Sequence, residues 1–542
     1  MAIAALAILA ASCSSAQKMV DQANNVKVTC DPAVLEAVAG DVTANLTVTY
    51  PANYFHPKAI LEVTPVIVYE GGETKALPIV YQGQKVKDNY KAVAKNGGIA
   101  KERINVPFAK GMEQSHLELR GVVKYKNKSY KLPVRKVADG MNTTYMLVDN
   151  GLMPLKADGY EAIIKQTAEG QILYRINSAD VRSKELKNQS IKDFQNALTE
   201  IKNNERKTLI GTEVVAYASP DGGESLNQKL SDERSKTADK AWSTVVKGHE
   251  DEVVDPEVKS IGQDWEGFQE LVQNSDLEDK DLIIRVLSMY SDPAVRENEI
   301  KNLSNVYTDL KTNVLPELRR ARFIANVEYK NYTTEELLQL INDNIDILDE
   351  TALLHAATLV KGIKDKEKLY NMASSKFDSD VARFNLAATY FEEGDLAACE
   401  KALAKVENKD GDYTNALGAI ALRKGDYDTA MKHFKKAGTA AAKSNIGISY
   451  ILQGEYGKAV EALKDTKGCP TNKGLAYLLN GQLDKAAEVL SCQSERSNYV
   501  KAVVAARQGK SADVQKYLEV AKKDKALAER AKKDIEFAAY NK

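Results

Sequence analysis

The chain has 542 residues, of which 44% are hydrophobic and 28% are charged, with 75 Lys and Arg residues against 76 Asp and Glu residues. This balance argues against nucleic acid as a partner, because proteins that bind phosphate backbones usually carry a basic excess. A mean hydropathy of −0.39 and the lack of any apolar run of about 18 residues argue against a multispanning membrane protein. The length allows about three domains.

The N-terminus begins with an apolar run, Ala2 to Ala11, which is followed by Ser12 and Cys13. Such a run is too short to cross a bilayer of about 30 Å as a helix, and it matches the apolar core of a secretory signal. Leu9 to Cys13 resembles a bacterial lipobox, which implies cleavage before Cys13 and acylation of its thiol. Residues 1–25 are then a signal peptide, lipobox and tether. An unprocessed apolar N-terminus is the alternative.

The cysteines and histidines bear on redox state and metal binding. Outside a reducing compartment an even number of remaining cysteines could pair. These are Cys30, Cys399, Cys469 and Cys492. Cys469 and Cys492 lie in neighbouring repeats and are the preferred pair, while buried free thiols are the alternative. The five histidines are scattered and no Cys-x-x-Cys occurs, so neither a metal site nor a cofactor is expected.

Residues 26–158 show a period of two in hydrophobicity. Apolar and polar residues alternate in Leu46–Tyr50 and in Leu117–Val123, and pairs such as Gly71-Gly72 mark turns between such runs. Alternation with many β-branched and aromatic residues predicts half-buried strands. Several strands at short spacing predict a β-sandwich domain.

Residues 159–330 mix strand and helix patterns. Ile172–Ile176 reads as a strand, Ile191 and Phe194 recur at helical spacing, and Val214–Ala218 reads as a second strand before a second helix. Strand–helix–strand–helix order predicts an α/β domain with helices packed on one sheet.

A family resemblance rests on the residues around that second strand. It ends in the loop Ser219–Gly223, and Leu226–Arg234 then carries Asn-x-x-Leu-Ser-x-x-Arg. This arrangement resembles the peptidoglycan-associating domain of the OmpA C-terminal family. Leu318–Phe323 is similar to the closing Arg-Arg strand of that family, and a long insertion lies at about 262–316. The segment Tyr54–Pro57 resembles OmpA-family outer-membrane lipoproteins of Bacteroidota type.

The resemblance implies a clamp for the diaminopimelate of peptidoglycan, in which a loop Asp takes the ammonium and a helix Arg takes the carboxylate. Arg234 falls on the Arg position and Ser219 on the Asp position, with Asp221 two residues later. The candidate peptidoglycan-binding residues are Arg234, Asn227, Ser219, Asp221, Arg319 and Arg320. From the residues alone, Arg234 lies beside an apolar helix stripe, where an internal ion pair with Asp221 is the alternative. Asn227 could start its helix, and Arg319 and Arg320 could be an exposed pair at a strand end.

Residues 331–542 are helical by pattern and contain a repeated turn. Glycines recur about 27–31 residues apart, each before a polar residue, an aromatic or Leu residue and a nearby Ala. These turns begin at Gly394, Gly425, Gly454 and Gly481, with a degenerate copy at Gly509. The pattern resembles tetratricopeptide repeats, which implies stacked helix pairs and a groove for a protein partner.

The functional prediction follows from these regions together. No phosphate-binding Walker loop, no Gly-x-Ser-x-Gly elbow and no His-Glu-x-x-His motif occurs, so the protein is expected not to be an enzyme. We expect a lipoprotein anchored in the outer membrane by Cys13 and facing the periplasm, which links the membrane to peptidoglycan and scaffolds protein partners. The alternative is an accessory subunit of an outer-membrane assembly or secretion complex, with an OmpA-like domain that does not bind peptidoglycan.

Overall fold

The structure of the chain is a computed structural model that describes residues 16–251, 253–302, 304–468 and 470–540. Cys13, the predicted lipobox and Cys469 lie outside the described residues. The chain divides into two compact units. Unit 1 runs to Ala157 and resumes at Lys366, and unit 2 is Asp158–Asp365. Residues 331–365, which the sequence pattern assigns to the repeats, therefore group with unit 2.

The N-terminal part of unit 1 is rich in sheet. A short helix, α1 (Gln17–Asp21), precedes strands β1 (Lys27–Asp31), β2 (Val34–Val38), β3 (Asp41–Tyr50), β4 (Ile60–Tyr69), β5 (Gly72–Lys75), β6 (Ile79–Gly83), β7 (Lys91–Val93), β8 (Gly98–Pro107), β9 (Ser115–Tyr125), β10 (Lys128–Lys131) and β11 (Arg135–Asn142). Within the described residues these strands form one eleven-stranded network in the order β1-β3-β2-β11-β9-β4-β6-β7, with β8 on β3, β5 on β4 and β10 on β9.

The burial pattern of this region follows the period of two in the sequence. Along β3 every second side chain from Val42 to Tyr50 is buried, as expected where one face of a strand meets a core. Tyr50 packs edge-on against Phe55 and Tyr81, and the same core includes Leu61. The side chains of β3 thus pack against those of β4 and β6 around a shared core, which confirms a sheet-rich N-terminal region.

Unit 2 is built on a mixed sheet. Its elements are β12 (Ile163–Leu173), α2 (Gln189–Asn203), β13 (Lys207–Ala218), α3 (Glu224–Val245), β14 (Glu257–Gln263), α4 (Trp265–Gln273), α5 (Lys280–Met289), α6 (Pro293–Asn302), α7 (Ser304–Asn313), β15 (Arg320–Lys330), α8 (Thr334–Asp343) and α9 (Glu350–Leu359). In the described residues the sheet has four strands, in the order β12-β15-β13-β14. β13 runs antiparallel to β15 and parallel to β14.

Helices α2 and α3 cover the sheet of unit 2 as the strand and helix patterns predict. Phe194 of α2 and Trp242 of α3 share one core with Phe323 of β15, and the Trp242 and Phe323 rings stack with centroids 6.1 Å apart. The predicted insertion between β14 and β15 forms α4 to α7, which have their own apolar core around Phe268 and Leu310. The assignment of this unit to the OmpA-like family stays a prediction.

The C-terminal part of unit 1 is an array of paired helices. It contains α10 (Ile363–Phe377), α11 (Asp380–Glu393), α12 (Leu396–Leu403), α13 (Gly411–Arg423), α14 (Tyr427–Ala437), α15 (Ala440–Leu452), α16 (Tyr456–Leu463), α17 (Thr471–Leu479), α18 (Leu483–Val489), α19 (Glu495–Arg507), α20 (Ser511–Ala521) and α21 (Lys525–Lys533). The helices pair as α11 with α12, α13 with α14, and so on to α19 with α20.

The repeated turn glycines separate the two helices of each pair. Gly425 has φ +80° and its four counterparts have φ between +72° and +81°, a left-handed conformation that favours glycine. Inside the pairs, a Cβ atom on Gly447 would lie 2.3 Å from Leu463, and one on Gly474 would lie 2.4 Å from Leu490. Small residues are therefore needed where the helices of a pair cross, and the prediction of a tetratricopeptide-like C-terminal region is confirmed.

The cysteines fall into two groups. Cys492 is disulfide-bonded, whereas Cys30 and Cys399 are free thiols. Burial raises the pKa of Cys399 to about 12, so this thiol is unreactive at neutral pH. Across the described ranges, no group of His, Cys, Asp and Glu side chains is arranged to hold a metal ion. None of the helices described here combines the length and apolar character needed to cross a membrane.

Candidate functional site

An extended segment lies along the repeat helices within unit 1. Residues 148–157, which we call the strap, follow the last strand of the sheet region and contain neither helix nor strand. The strap is held by the first helices of successive pairs, namely α11, α13, α15, α17 and α19. The groove that the sequence pattern assigns to a protein partner is thus occupied by the chain itself.

Buried asparagines hold the main chain of the strap. Asn385, Asn415, Asn445 and Asn472, which we call the ladder, are at most 7% exposed. The Lys156 N–H donates to Asn385 Oδ1 at 2.7 Å, and Asn385 Nδ2 donates to the Lys156 carbonyl at 3.0 Å. Seven residues earlier in the strap, the Asp149 N–H donates to Asn472 Oδ1 at 3.1 Å.

The centre of the strap is held in the same way. The Leu152 N–H donates to Asn445 Oδ1 at 2.7 Å, and Asn445 Nδ2 donates to the Leu152 carbonyl at 2.8 Å. A buried side-chain amide is costly unless it is hydrogen-bonded. An extended main chain offers both a donor and an acceptor, so the strap satisfies both ends of these amides.

Ion pairs fix the two ends of the strap. Arg496 donates two hydrogen bonds to the Asp149 carboxylate, a bidentate geometry typical of strong Arg–carboxylate pairs. Lys156 Nζ lies 2.6 Å from Asp410 Oδ2 and 4.9 Å from the centre of the Phe384 ring. The strap therefore runs antiparallel to the array, with its acidic end at α19 and its basic end beside α11 and α13.

The pKa values of these partners reflect their surroundings. Burial lowers the pKa of Arg496, although the guanidinium stays charged at neutral pH. Burial alone would raise the pKa of Asp410, but hydrogen bonds from Lys156 and from the Tyr413 amide hold it below its ordinary value. Both strap ends are consequently charge-paired at neutral pH.

Apolar contacts fill the space between the ends. Gly151 is buried with φ +93°, and a Cβ atom there would lie 3.4 Å from both Leu422 and Phe391. A side chain at this position is disfavoured by the backbone conformation. Met153 is 2% exposed. The groove therefore accepts a glycine and an aliphatic side chain at defined places along an extended chain.

The ladder was absent from the sequence predictions, although the sequence carries a signal for it. Each ladder residue lies nine or ten residues before a turn glycine: 385 before 394, 415 before 425, 445 before 454 and 472 before 481. Asparagine is a poor choice for the interior of a helix packed on its neighbours. Its recurrence with the repeat period therefore indicates a shared binding role.

The predicted clamp residues lie in unit 2, in the loop after β13, on α3 and at the start of β15. Arg234 is 1% exposed, and it donates to the carbonyl groups of Ser178, Tyr217 and Arg175 at 3.0, 2.9 and 3.3 Å. Its guanidinium also lies over the Tyr174 ring. Burial lowers the pKa of Arg234 to about 10. The side chain thus ties the loop that contains Arg175 and Ser178, and the end of β13 at Tyr217, to helix α3 through their main chains.

The carboxylate of the predicted clamp is paired with a different arginine. Asp221 Oδ2 lies 3.1 Å from Arg319 Nη2, and Ser219 donates a hydrogen bond to the same carboxyl group. Asn227 Nδ2 donates to the carbonyls of Ser219 and Gly222 at 3.0 and 2.7 Å and holds the loop in place. Arg319 and Asp221 keep 11% and 14% of their side chains exposed.

Arg320 belongs to a separate pair. Its Nε and Nη2 lie 3.0 and 2.9 Å from Asp264 Oδ2, and Asp264 also accepts from the Gly267 amide at the start of α4. Five of the six candidates therefore lie in or beside the loop that follows β13: Ser219, Asp221, Asn227, Arg234 and Arg319. Arg320 instead fixes the helical insertion to the sheet.

Comparisons with known proteins add little to this geometry. No family model and no curated protein matches the chain. One similar solved structure is a tetratricopeptide repeat protein from Parabacteroides merdae ATCC 43184, at 14% identity and a TM-score of 0.31, with 37% of this chain and 91% of that chain covered. Another is the APC/C hetero-tetramer Cut9-Hcn1, at 13% identity and a TM-score of 0.32, with 64% and 80% covered. These scores support no conclusion about function.

Proposed function

We propose that the protein is a non-catalytic scaffold that acts as an accessory subunit of an outer-membrane protein assembly. The observation that carries this proposal is the ladder, whose buried amides bind polypeptide main chain at Asp149, Leu152 and Lys156. Such groups bind and orient peptide but supply no nucleophile, general base or metal ligand. Tetratricopeptide-like arrays also generally bind protein partners.

The contacts of Arg234 favour this proposal over peptidoglycan linkage. A clamp needs guanidinium N–H groups directed at the ligand carboxylate. Three N–H groups of Arg234 instead donate to main-chain carbonyls, and Asp221 is neutralised by Arg319. A ligand would therefore have to replace existing internal contacts at both of its charges.

Peptidoglycan linkage is the second candidate, and one observation favours it. Five of the predicted residues converge on one loop, and Asp221 and Arg319 there are partly exposed. Diaminopimelate presents an ammonium and a carboxylate side by side, and it could exchange with this ion pair. In that case Asp221 would take the ammonium and Arg319 would take the carboxylate.

The proposed location is the periplasmic face of the outer membrane. It rests on the lipobox-like residues Leu9 to Cys13, with acylated Cys13 inserted in the lipid. The residues after Cys13, Ser14 to Lys18, lack an acidic cluster. In bacteria of the Bacteroidota type, an acidic cluster at this place is associated with export of a lipoprotein to the cell surface.

One fractionation separates the two candidates. Membranes from cells that make the tagged full chain are solubilised in mild detergent, and the sacculi are pelleted before native electrophoresis of the supernatant. We expect the protein in the supernatant, migrating above 59.6 kDa with a second protein in constant ratio. Retention on washed sacculi without a second protein would favour peptidoglycan linkage and overturn the accessory-subunit proposal.

A further inference from the structure

The strap shows what the groove recognises, because it occupies the groove as a bound peptide would and its hydrogen bonds and ion pairs with the repeat helices are known. The ladder binds main-chain atoms at residues 149, 152 and 156, so it selects an extended conformation. Asn472 Nδ2 also donates to the Asp149 carboxylate at 2.8 Å, at the acidic end of the strap. Side-chain selection comes from the two ends. Arg496 takes a carboxylate, and Asp410 takes an ammonium seven residues further along.

The direction of the ligand is also fixed. Reversing an extended chain would still present donors and acceptors to the ladder, but it would place an acidic side chain against Asp410 and a basic one against Arg496. Like charges in contact are unfavourable. The groove therefore selects an acidic residue that precedes a basic residue, with glycine two positions after the acidic one because of the φ at Gly151.

The strap is suited to exchange. It makes no helix or strand hydrogen bonds of its own, so leaving the groove disrupts no element of secondary structure. Its acidic end is also accessible, because Arg496 and Asp149 are 31% and 29% exposed. A competing segment can therefore replace one ion pair at a time.

We propose that the groove binds an extended segment of a partner protein in exchange for the strap. This segment carries the strap's pattern: an acidic residue, glycine two positions after it, aliphatic residues, and lysine seven positions after the acidic residue. The proposal rests on the scaffold function and names the ligand class for it. A tethered segment competes at an effective concentration in the millimolar range. A short free peptide well below that concentration is thus kept out of the native groove, whereas a partner with additional contacts can displace the strap.

The test uses a fluorescent peptide with the sequence of residues 148–157 and the purified full chain. Anisotropy is measured with the native chain and with the double variant Asp149→Ala, Lys156→Ala, which loses both strap ion pairs and keeps the groove intact. We expect at least tenfold tighter apparent binding to the double variant. A peptide in which Asp and Lys are exchanged should bind the double variant at least tenfold more weakly than the peptide with the native sequence does.

A ladder variant provides the control. Adding Asn415→Ala and Asn445→Ala to the double variant should abolish peptide binding, with circular dichroism confirming that each protein is folded. If the double variant does not fold, the native chain is titrated with a photo-crosslinking peptide to millimolar concentration, where labelling of α13 and α15 is expected.

Three results would overturn the proposal. The first is that the peptide neither binds a folded double variant nor labels the native chain. The second is that the exchanged peptide binds as tightly as the native sequence, and the third is that two copies of the chain form a dimer by exchanging straps. The scaffold function would survive each of them, because native electrophoresis detects a partner on any surface. After the first result the strap would be a permanent structural tie, and after the third it would be a contact between two copies of the chain.

Discussion

Asn415 and Asn445, 30 residues apart in neighbouring repeats, bind the same carbonyl group. Both side-chain amides donate to the Leu152 oxygen, at 2.9 and 2.8 Å, and Asn445 Nδ2 also donates to Asn415 Oδ1 at 2.9 Å. The two repeats and the strap therefore share one hydrogen-bonded unit. Asn445 is the central member, because its removal takes a partner from the Leu152 N–H, from the Leu152 oxygen and from Asn415 Oδ1.

The first prediction concerns this unit. Asn445→Ala should lower the free energy of unfolding of unit 1 by about 1–3 kcal/mol, because the partly buried Leu152 N–H and the buried Asn415 Oδ1 each lose a partner. Urea denaturation followed by circular dichroism measures the change. Asn480→Ala, in an exposed turn of the same array, is the matched control and should change stability by less than about 0.5 kcal/mol. Equal effects of the two substitutions would contradict the role of the ladder.

The second prediction concerns Arg234. Arg234→Ala should destabilise unit 2 by about 3 kcal/mol, because three main-chain carbonyl groups lose a charged donor and a fully buried side chain is removed. Arg234→Lys should recover little, because the three carbonyls are bound by three different nitrogens of the guanidinium, and lysine has one nitrogen. Thermal unfolding and retention on isolated sacculi are measured together. Loss of sacculus retention at unchanged stability would show instead that Arg234 contacts peptidoglycan.

The third prediction concerns Ser219, the residue at the position of the family Asp. Family resemblance alone predicts that Ser219→Asp strengthens binding to sacculi. The structure predicts the opposite, because Ser219 donates a hydrogen bond to Asp221 and a second carboxylate would repel the first. We expect Ser219→Asp to lower the melting temperature more than Ser219→Ala does, with no gain in sacculus retention. A gain in retention would support peptidoglycan linkage.

The fourth prediction concerns pH. The pKa of Asp410 is below its ordinary value of 3.8 in the folded chain, so the folded state binds this proton less readily than the unfolded state. The stabilising contribution is therefore complete above about pH 4 and is lost as the pH falls through the folded-state pKa. Because the pair is partly exposed, we expect at most about 1 kcal/mol. Asp410→Asn should remove this part of the acid dependence in urea titrations between pH 2 and 6. An unchanged acid profile would exclude a contribution from this pair.

The fifth prediction concerns the anchor. Cells fed a labelled fatty acid should yield labelled protein in the membrane fraction, and Cys13→Ala should abolish the label. Cys30→Ala is the matched control, because Cys30 is a free thiol in the folded sheet region and should leave labelling unchanged. Membrane-bound protein that is unlabelled in both the native chain and the control would refute acylation.

The sequence predicted those features that depend on local periodicity. The alternation along β3, the spacing of Ile191 and Phe194 on α2, and the turn glycines such as Gly425 each reflect the geometry of one element and its nearest neighbour. These patterns were sufficient to predict the sheet-rich region, the sheet of unit 2 with its covering helices, and the helix pairs.

The strap and the surroundings of Arg234 could not be predicted in this way. Residues 148–157 have no period, and their structure depends on groups more than 200 residues away, as with Lys156 and Asn385. The Arg234 guanidinium donates to the carbonyls of Arg175 and Ser178. Every residue has a main-chain carbonyl, so the residue types in the sequence do not show which carbonyls bind Arg234. The sequence therefore indicated that Arg234 needs a partner but not what that partner is.

The strap also constrains the order in which the protein can be completed during synthesis. Lys156 is 229 residues ahead of Asn385, and Asp149 is 347 residues ahead of Arg496. At translation rates of about 5–20 residues per second, the acidic end leaves the ribosome roughly 17–70 s before its arginine exists. Unit 2 has been synthesised by then, but the strap contacts within unit 1 have to wait for α19. A nascent or truncated chain thus carries residues 148–157 as an unprotected extended segment, open to chaperones and proteases until α19 has been made.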